Sequence, residues 1–300
     1  MRGAVLASRV LDALTADGGP GSGDFGHAGR PGEVGGSGEG GSDAKPYIPM
    51  SKTLSVARRE EHKWDKILDV ENGNAPQTKD AVCRALAERL KSDSRWPYYG
   101  QESYNQVDNY IFEWACSSGD SQKIAIALQL AANDEFEHCH GATTHFDERP
   151  LTRAQVYYQE HADEMRAFLR AQYENTQAYF ADHGITDVTL YRGMSNTNES
   201  SQVPINATKI TEEHMALQPI SSFCTRLGTA TMFPPTYYPH QITMACVVPV
   251  KDILSTCRTG FGCSNEREMT VLGNHQLATA VYSTTKTEYR QELVEGALFK

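Results

Sequence analysis

HGITDVTLYRGM, residues 183–194, is where the hydrophobic period of the chain changes. Before it, Met165, Phe168, Leu169, Tyr179 and Phe180 fall at offsets that share one face at 3.6 residues per turn, so residues 152–182 are expected to form a long amphipathic helix. His183-Gly184 ends that helix, with glycine as the C-cap residue. After Gly184 the apolar residues come in short runs rich in Val, Ile, Thr and aromatics: VTLYRGM, ISSF, ITMACVVPV, EREMTVLG, LATAVYS and ELVEGALF, separated by turn-forming residues. Each is expected to be a strand. Further candidate helices lie upstream at 54–70, 78–92, 105–117 and 120–133. A run of helices followed by a run of strands is the pattern of an α+β protein and not of alternating α/β.

The N-terminal segment 1–17 is expected to hold a short amphipathic helix over residues 4–15. Residues 18–46 contain 12 of the 24 glycines and too little apolar surface to offset their ordering entropy, so they read as a flexible linker. Two dinucleotide-type patterns there, GSGDFG at 21–26 and GSGEGG at 36–41, neither follow a strand nor open a helix, which removes them as Rossmann sites. FGHAGRPGEVGGSG resembles a glycine-rich motif seen beside head-morphogenesis and other modules in phage proteins, although a linker of biased composition is the preferred reading. Residues 47–300 then form one domain, helical over 47–183 and β-rich over 184–300.

The net charge of −10 argues against non-specific binding to nucleic acid or to an anionic membrane. That charge is uneven: from Gly184 onward nine basic residues face ten acidic ones, so the β-rich half can accept an anionic ligand without a large repulsive field. Seven cysteines, with no Cys-x-x-Cys spacing, suggest reduced thiols over a disulfide framework. The first residues lack an uninterrupted apolar core of signal-peptide length, and no apolar run is long enough to span a bilayer, so a soluble protein is expected.

DEFEHCHGATTH, residues 134–145, gathers Glu135, Glu137, His138, Cys139, His140 and His145 without any recognised ligand spacing. It is read as a polar helix end and loop, and no metal site is expected. There is no Gly-x-Ser-x-Gly elbow, phosphate-binding Gly-rich loop or His-Glu-x-x-His, and nothing local supports a Cys/His nucleophile pair.

Three features in the β-rich half remain. Arg192 lies within an apolar strand and must find an anionic or acceptor partner. PISSFCTRLGTATMF, 219–233, reads as a strand with paired serines, a turn and a helix start. NEREMTVLG, 265–273, opens with Glu266 and Glu268, which on a strand would face the same way and raise each other's pKa. Taken singly, each has an ordinary structural reading: an ion pair, cap hydroxyls, a solvated strand entrance.

Together and in this order, Tyr191-Arg192-Gly193, then Ser222-Phe223-Cys224 followed by Ala230-Thr-Met-Phe233, then Glu266-Arg267-Glu268, they resemble the arginine–serine–glutamate class of ADP-ribosyltransferases. These are NAD-using toxins and effectors with phage-borne relatives. The resemblance covers roughly residues 150–300, and ITMACVVPVKDIL looks like the family's strand and helical turn between its second and third motifs. It implies a split β-sandwich preceded by a helical region. It also implies mono-ADP-ribosyl transfer from NAD to a macromolecule, with release of nicotinamide and no metal. Arginine on a host protein is the acceptor that Glu-x-Glu accompanies in this class; a base or hydroxyl on nucleic acid is the alternative, and no membrane partner is implied. Action in the cytoplasm of a host or target cell follows, after delivery with a virion or export without a conventional signal peptide.

By the same resemblance, Glu268 stabilises the oxocarbenium-like transition state and Glu266 contacts the acceptor. Arg192 holds the NAD diphosphate or ribose, the Gly193 backbone holds the nicotinamide amide, and Ser222 orients ribose and Glu268. Tyr191 and Phe233 complete the NAD-binding set. The family's second motif is usually Ser-Thr-Ser, whereas this chain has Ser222-Phe223-Cys224; the distance back from Ala230 selects Ser222 over Ser221. An NAD glycohydrolase using the same site, and a non-catalytic virion-associated binding module, are the competing functions.

Overall fold

The computed structural model describes residues 61, 63–68, 75–117, 122–144, 146–195, 208–233, 241–283, 293–295 and 298. The expected N-terminal helix, the Gly-rich linker and His145 lie outside them. A helical segment occupies Glu61 and 63–67. Four helices follow: α1 (Ala75–Leu90), α2 (Gly100–Ser117), α3 (Lys123–Glu135) and α4 (Glu148–Asp182). Helix α3 is buried over most of its surface, from Ala125 to Ala132, as its nearly unbroken apolar sequence requires. At the end of α4, Gly184 adopts φ +63. Its N–H donates to Ala181 O, and the Ile185 N–H donates back to Phe180 O, which satisfies the last carbonyls of the helix. Glycine reaches this left-handed geometry without a Cβ clash.

The strands are β1 (Asp187–Ser195), β2 (Thr208–Ala216), β3 (Ile220–Cys224), β4 (Gln241–Pro249), β5 (Ile253–Thr256), β6 (Glu268–Leu272) and β7 (His275–Ser283). A short helix α5 (Leu227–Met232) follows β3, and a helical turn at Val250–Asp252 joins β4 to β5. They form one antiparallel sheet in the order β2-β7-β4-β1-β3-β6-β5, and the protein is α+β.

The expectation fails at four places. β5 was not foreseen as a strand, since its four residues directly follow the helical turn after β4. β2 carries Lys209, Glu212, Glu213 and His214 on the edge of the sheet, where one face is wet, so its TKITEEHMA sequence lacked the apolar run used to recognise the expected strands. ELVEGALF was expected as a strand, but its described residues, 293–295 and 298, are helical, and Val294 and Leu298 are buried. Finally, β6 begins at Glu268, so Glu266 and Arg267 are not part of it. Glu266 closes a helical turn, Ser264–Glu266, and Arg267 has φ +50. The two acids therefore do not share a strand face.

The largest apolar cluster joins α1 to α4 with Ile220, Leu254, Phe261 and Leu272 of the sheet side, so helices and sheet share one core. A second cluster packs Trp64, Leu68 and Phe180 against Val188, Leu190, Phe223, Met244 and Met269. A third, on the opposite face, groups Tyr191, Cys224, Leu227 and Val281 under Val294 and Leu298. DEFEHCHGATTH stitches helices to sheet. Glu135 accepts from Arg95, Arg166 and Arg170, at 2.9, 3.0 and 2.8 Å. The His140 N–H donates to Gly273 O at 2.7 Å, and the Ala142 N–H to Leu217 O at 2.9 Å. Among the described residues no group of three or more His, Cys, Asp or Glu is arranged to hold a metal ion. No described helix is long and apolar enough to cross a membrane.

Candidate active site

The sheet changes character between β1 and β3. They are paired at a single position, Tyr191 opposite Cys224, whereas β1 and β4 are paired over nine. Continued, that ladder would set Gly193 against Ser222; instead the strands run on unpaired from there. Register places Arg192 beside Phe223, and its guanidinium lies 5.6 Å from the centre of that ring. Its Nη1 donates to the carbonyl oxygen of Ser222 at 2.8 Å, across the unpaired gap. An arginine thus replaces part of the backbone ladder with side-chain donors.

Ser222 stands opposite Thr270 on β6, two positions along from the Cys224–Glu268 pair and on the same face. Its Oγ donates to Glu268 Oε1 at 2.5 Å. Trp114 of α2 also donates Nε1–H to that oxygen, at 3.3 Å, and the Cys263 N–H donates to Oε2 at 2.8 Å. Three donors from three parts of the chain therefore fix a carboxylate that is only 7% exposed. Trp114 is held in turn by stacking on Phe261, with centroids 4.8 Å apart. The loop supplying Cys263 turns at Gly262, whose φ is +135 and where a Cβ would lie 2.7 Å from Cys257 N; only glycine fits.

Glu266 is differently placed. Its backbone N–H donates to Cys263 O at 3.2 Å, and among the described residues no hydrogen bond holds its carboxylate. Burial, and secondly the negative charge of Glu268, push its carboxyl up to about 7. The influence of Glu268 on Glu266 is carried by a helical turn and not by a shared strand face.

Arg192, Ser222 and Glu268 form a continuous hydrogen-bonded series, with Gly193 at the edge of the gap. Ser221 is on the other face, 1% exposed, and among the described residues its hydroxyl has no hydrogen-bond partner, so Ser222 is the serine that meets the acid. Tyr191 is 4% exposed in the cluster with Cys224 and Leu227, on the face opposite to Arg192. Phe233 is the half-buried C-cap residue of α5, and among the described residues no ring contact joins it to the series. The thiols do not offer a nucleophile: burial pushes Cys224 and Cys257 up to about 12, and burial followed by the two acids pushes Cys263 up to about 11.

Sequence reasoning missed Trp114, the Cys263 N–H and an acid at position 65 that binds Arg267. Nothing local marks them, because each partner lies on another element. Chemically, the arrangement offers a preorganised carboxylate, a guanidinium at an opening in the sheet, and a second acid that can take up a proton near neutrality. Comparison with known proteins finds no matching family model, no similar curated protein and no similar solved structure.

Proposed function

We propose that the chain is an NAD-dependent mono-ADP-ribosyltransferase with an arginine–serine–glutamate site on an ADP-ribosyltransferase-like split sheet. The observation that carries the reading is the bond from Ser222 Oγ to Glu268 Oε1, with Arg192 bound to the same serine's carbonyl. Three residues singled out by motif order, on three strands, meet where the β1–β3 ladder stops. The break in the β1–β3 ladder is what supports the split-sheet reading.

In the reaction, the C1′–N bond of the nicotinamide ribose breaks and nicotinamide leaves with the bonding electrons. Positive charge develops on the ribose as in glycoside cleavage. Glu268, locked by its three donors, is the charge set against it, and Ser222 holds both carboxylate and ribose. Arg192 supplies a planar fork for diphosphate or ribose oxygens, which lysine would meet only as a point charge. Gly193 offers backbone at the gap without a side chain in the way. A guanidine nitrogen of the acceptor then forms the new bond to C1′, and Glu266 accepts the proton it sheds. Tyr191 contributes through the core beneath β1, and Phe233 through the end of α5.

Arginine on a host protein is the acceptor this order of acids favours, since a cation relieves the repulsion between them. The net charge of −10 weighs against a nucleic-acid acceptor. The site serves a cytoplasmic target equally well after virion delivery or export.

Labelled NAD and a candidate host lysate provide the test, with wild type, Glu268→Gln and Glu266→Gln compared. Glu268→Gln should lose transfer and nicotinamide release together, by about 10²–10³-fold, because it removes preorganised charge at the reacting centre. Glu266→Gln should lose transfer while nicotinamide release persists. Unchanged labelling by Glu268→Gln would sink the reading, and steady nicotinamide release without any labelled macromolecule would make the protein a glycohydrolase.

A further inference from the structure

The segment around residues 61–68 is far from the site in sequence, yet it reaches the turn between the two acids. Asp65 is 4% exposed. Its Oδ1 accepts from Arg267 Nε at 2.7 Å, and its Oδ2 accepts from Arg226 Nη2. Burial by itself would raise this carboxyl, but hydrogen bonds from Arg267 and then Arg226 outweigh it and hold it below the usual aspartate value. Arg226 lies two residues past the end of the strand that carries Ser222, and Arg267 directly precedes Glu268. One buried carboxylate therefore ties the end of β3 to the start of β6.

Arg267 is the only described residue other than glycine with a positive φ. A long side chain in that conformation is held by its surroundings. Those surroundings are visible: Nη1 donates to Asn265 O at 2.8 Å, the Arg267 carbonyl accepts from Thr225 N–H at 3.3 Å, and Asp65 holds Nε. Neighbouring contacts keep the segment seated, since the Glu61 carboxylate accepts from the Leu227 N–H at 3.1 Å and Trp64 packs edge-on against Phe180.

The two acids depend on this turn unequally. Glu268 has its own three donors, from Ser222, Trp114 and Cys263. Glu266 has no such support among the described residues, so the direction of its carboxylate follows from the backbone of residues 264–267. Resting on the transferase reading above, we infer that Asp65 is a positioning residue for the acceptor step: through Arg267 it fixes the turn that aims Glu266, and leaves cleavage of NAD to the independently held Glu268. The helical segment ahead of α1 is then part of the specificity apparatus.

Asp65→Asn and Arg267→Gln break the same link from its two ends, so a folding defect peculiar to one does not hide the effect. Three quantities are read: nicotinamide release without acceptor, transfer to agmatine as a small guanidine, and amide hydrogen exchange over residues 264–268. In both variants transfer should fall about 10–100-fold, as for a misaimed catalytic group. Nicotinamide release should stay within about threefold of wild type, and exchange in the turn should quicken. Equal losses in release and transfer would reduce Asp65 to a structural residue and overturn the inference, as would unchanged transfer or unchanged exchange. If wild type neither releases nicotinamide nor modifies agmatine, the transferase reading and the acceptor role fall together; faster exchange in the variants would then show only that the link orders the turn.

Discussion

Glu266 and Glu268 lie two positions apart and differ in almost everything that governs a carboxylate. Glu268 opens a buried strand and accepts three hydrogen bonds, while Glu266 ends a helical turn and is raised to about 7 by burial and by its neighbour. In the proposed reaction the acceptor's proton goes to ionised Glu266. The kcat/KM for a guanidine acceptor should therefore rise with pH around a midpoint near 7, and Glu266→Gln should lack that limb. Stability should run the opposite way. Folding raises this carboxyl's pKa, so the native state binds its proton more tightly than the unfolded chain does. That contribution is whole below the unfolded value of about 4.5 and is lost as pH climbs through the folded one. A rise from 4.5 to about 7 corresponds to a penalty on the order of 3 kcal/mol for keeping Glu266 ionised. Glu266→Gln should thus melt higher than wild type at pH 8, with the gap narrowing toward pH 5, as thermal scans at the two pH values will read.

Among the elements, α2 contributes more than packing, because its Trp114 reaches Glu268 Oε1 while stacking on Phe261. Trp114→Phe keeps an aromatic ring for the stack and removes the donor. A hydrogen bond to a charged group is worth roughly 1.5–3 kcal/mol, so nicotinamide release should fall about 10–100-fold. The melting temperature should move far less than the rate; a parallel collapse of both would show that Trp114 acts only as core. The same exchange of ladder for side chain appears at β1, where Arg192 donates to the Ser222 carbonyl that a paired strand would have used. Arg192→Lys keeps the charge but loses the planar fork, so KM for NAD should rise, measured by initial rates over a range of NAD concentrations.

Across the molecule, helices and sheet form one core, and glycines sit where they meet. A Cβ on Gly141 would lie 2.1 Å from Pro219 N, and one on Gly273 2.2 Å from Gln218 O, both backbone atoms that cannot swing aside. Gly141→Ala should therefore cost at the upper end of the ~1–3 kcal/mol seen for overpacking. Because the largest cluster contains residues of both layers, the loss should lower one common transition. Urea melts followed by far-ultraviolet circular dichroism and by tryptophan fluorescence should coincide in the variant as in the wild type; separate midpoints would mean that the layers unfold independently.

The change of period at Gly184, the long helix before it and most of the strands after it were legible in the chain, because apolar spacing and glycine chemistry act over a few residues. So were Arg192, Ser222 and Glu268 as members of one ordered set. The edge strand Thr208–Ala216, the helical turn at Val294 and the placement of Glu266 were not, since short or half-wet segments carry a weak periodic signal and tertiary contacts choose their conformation. Long-range partners were beyond reach altogether. Trp114 meets Glu268 across 154 positions and Asp65 meets Arg267 across 202, distances over which no spacing rule applies. Local sequence determined which chemical groups were available and on which kinds of element. Only tertiary structure decided which carboxylate is gripped by three donors and which hangs on a turn, because burial and the direction of each donor exist only once distant segments pack together.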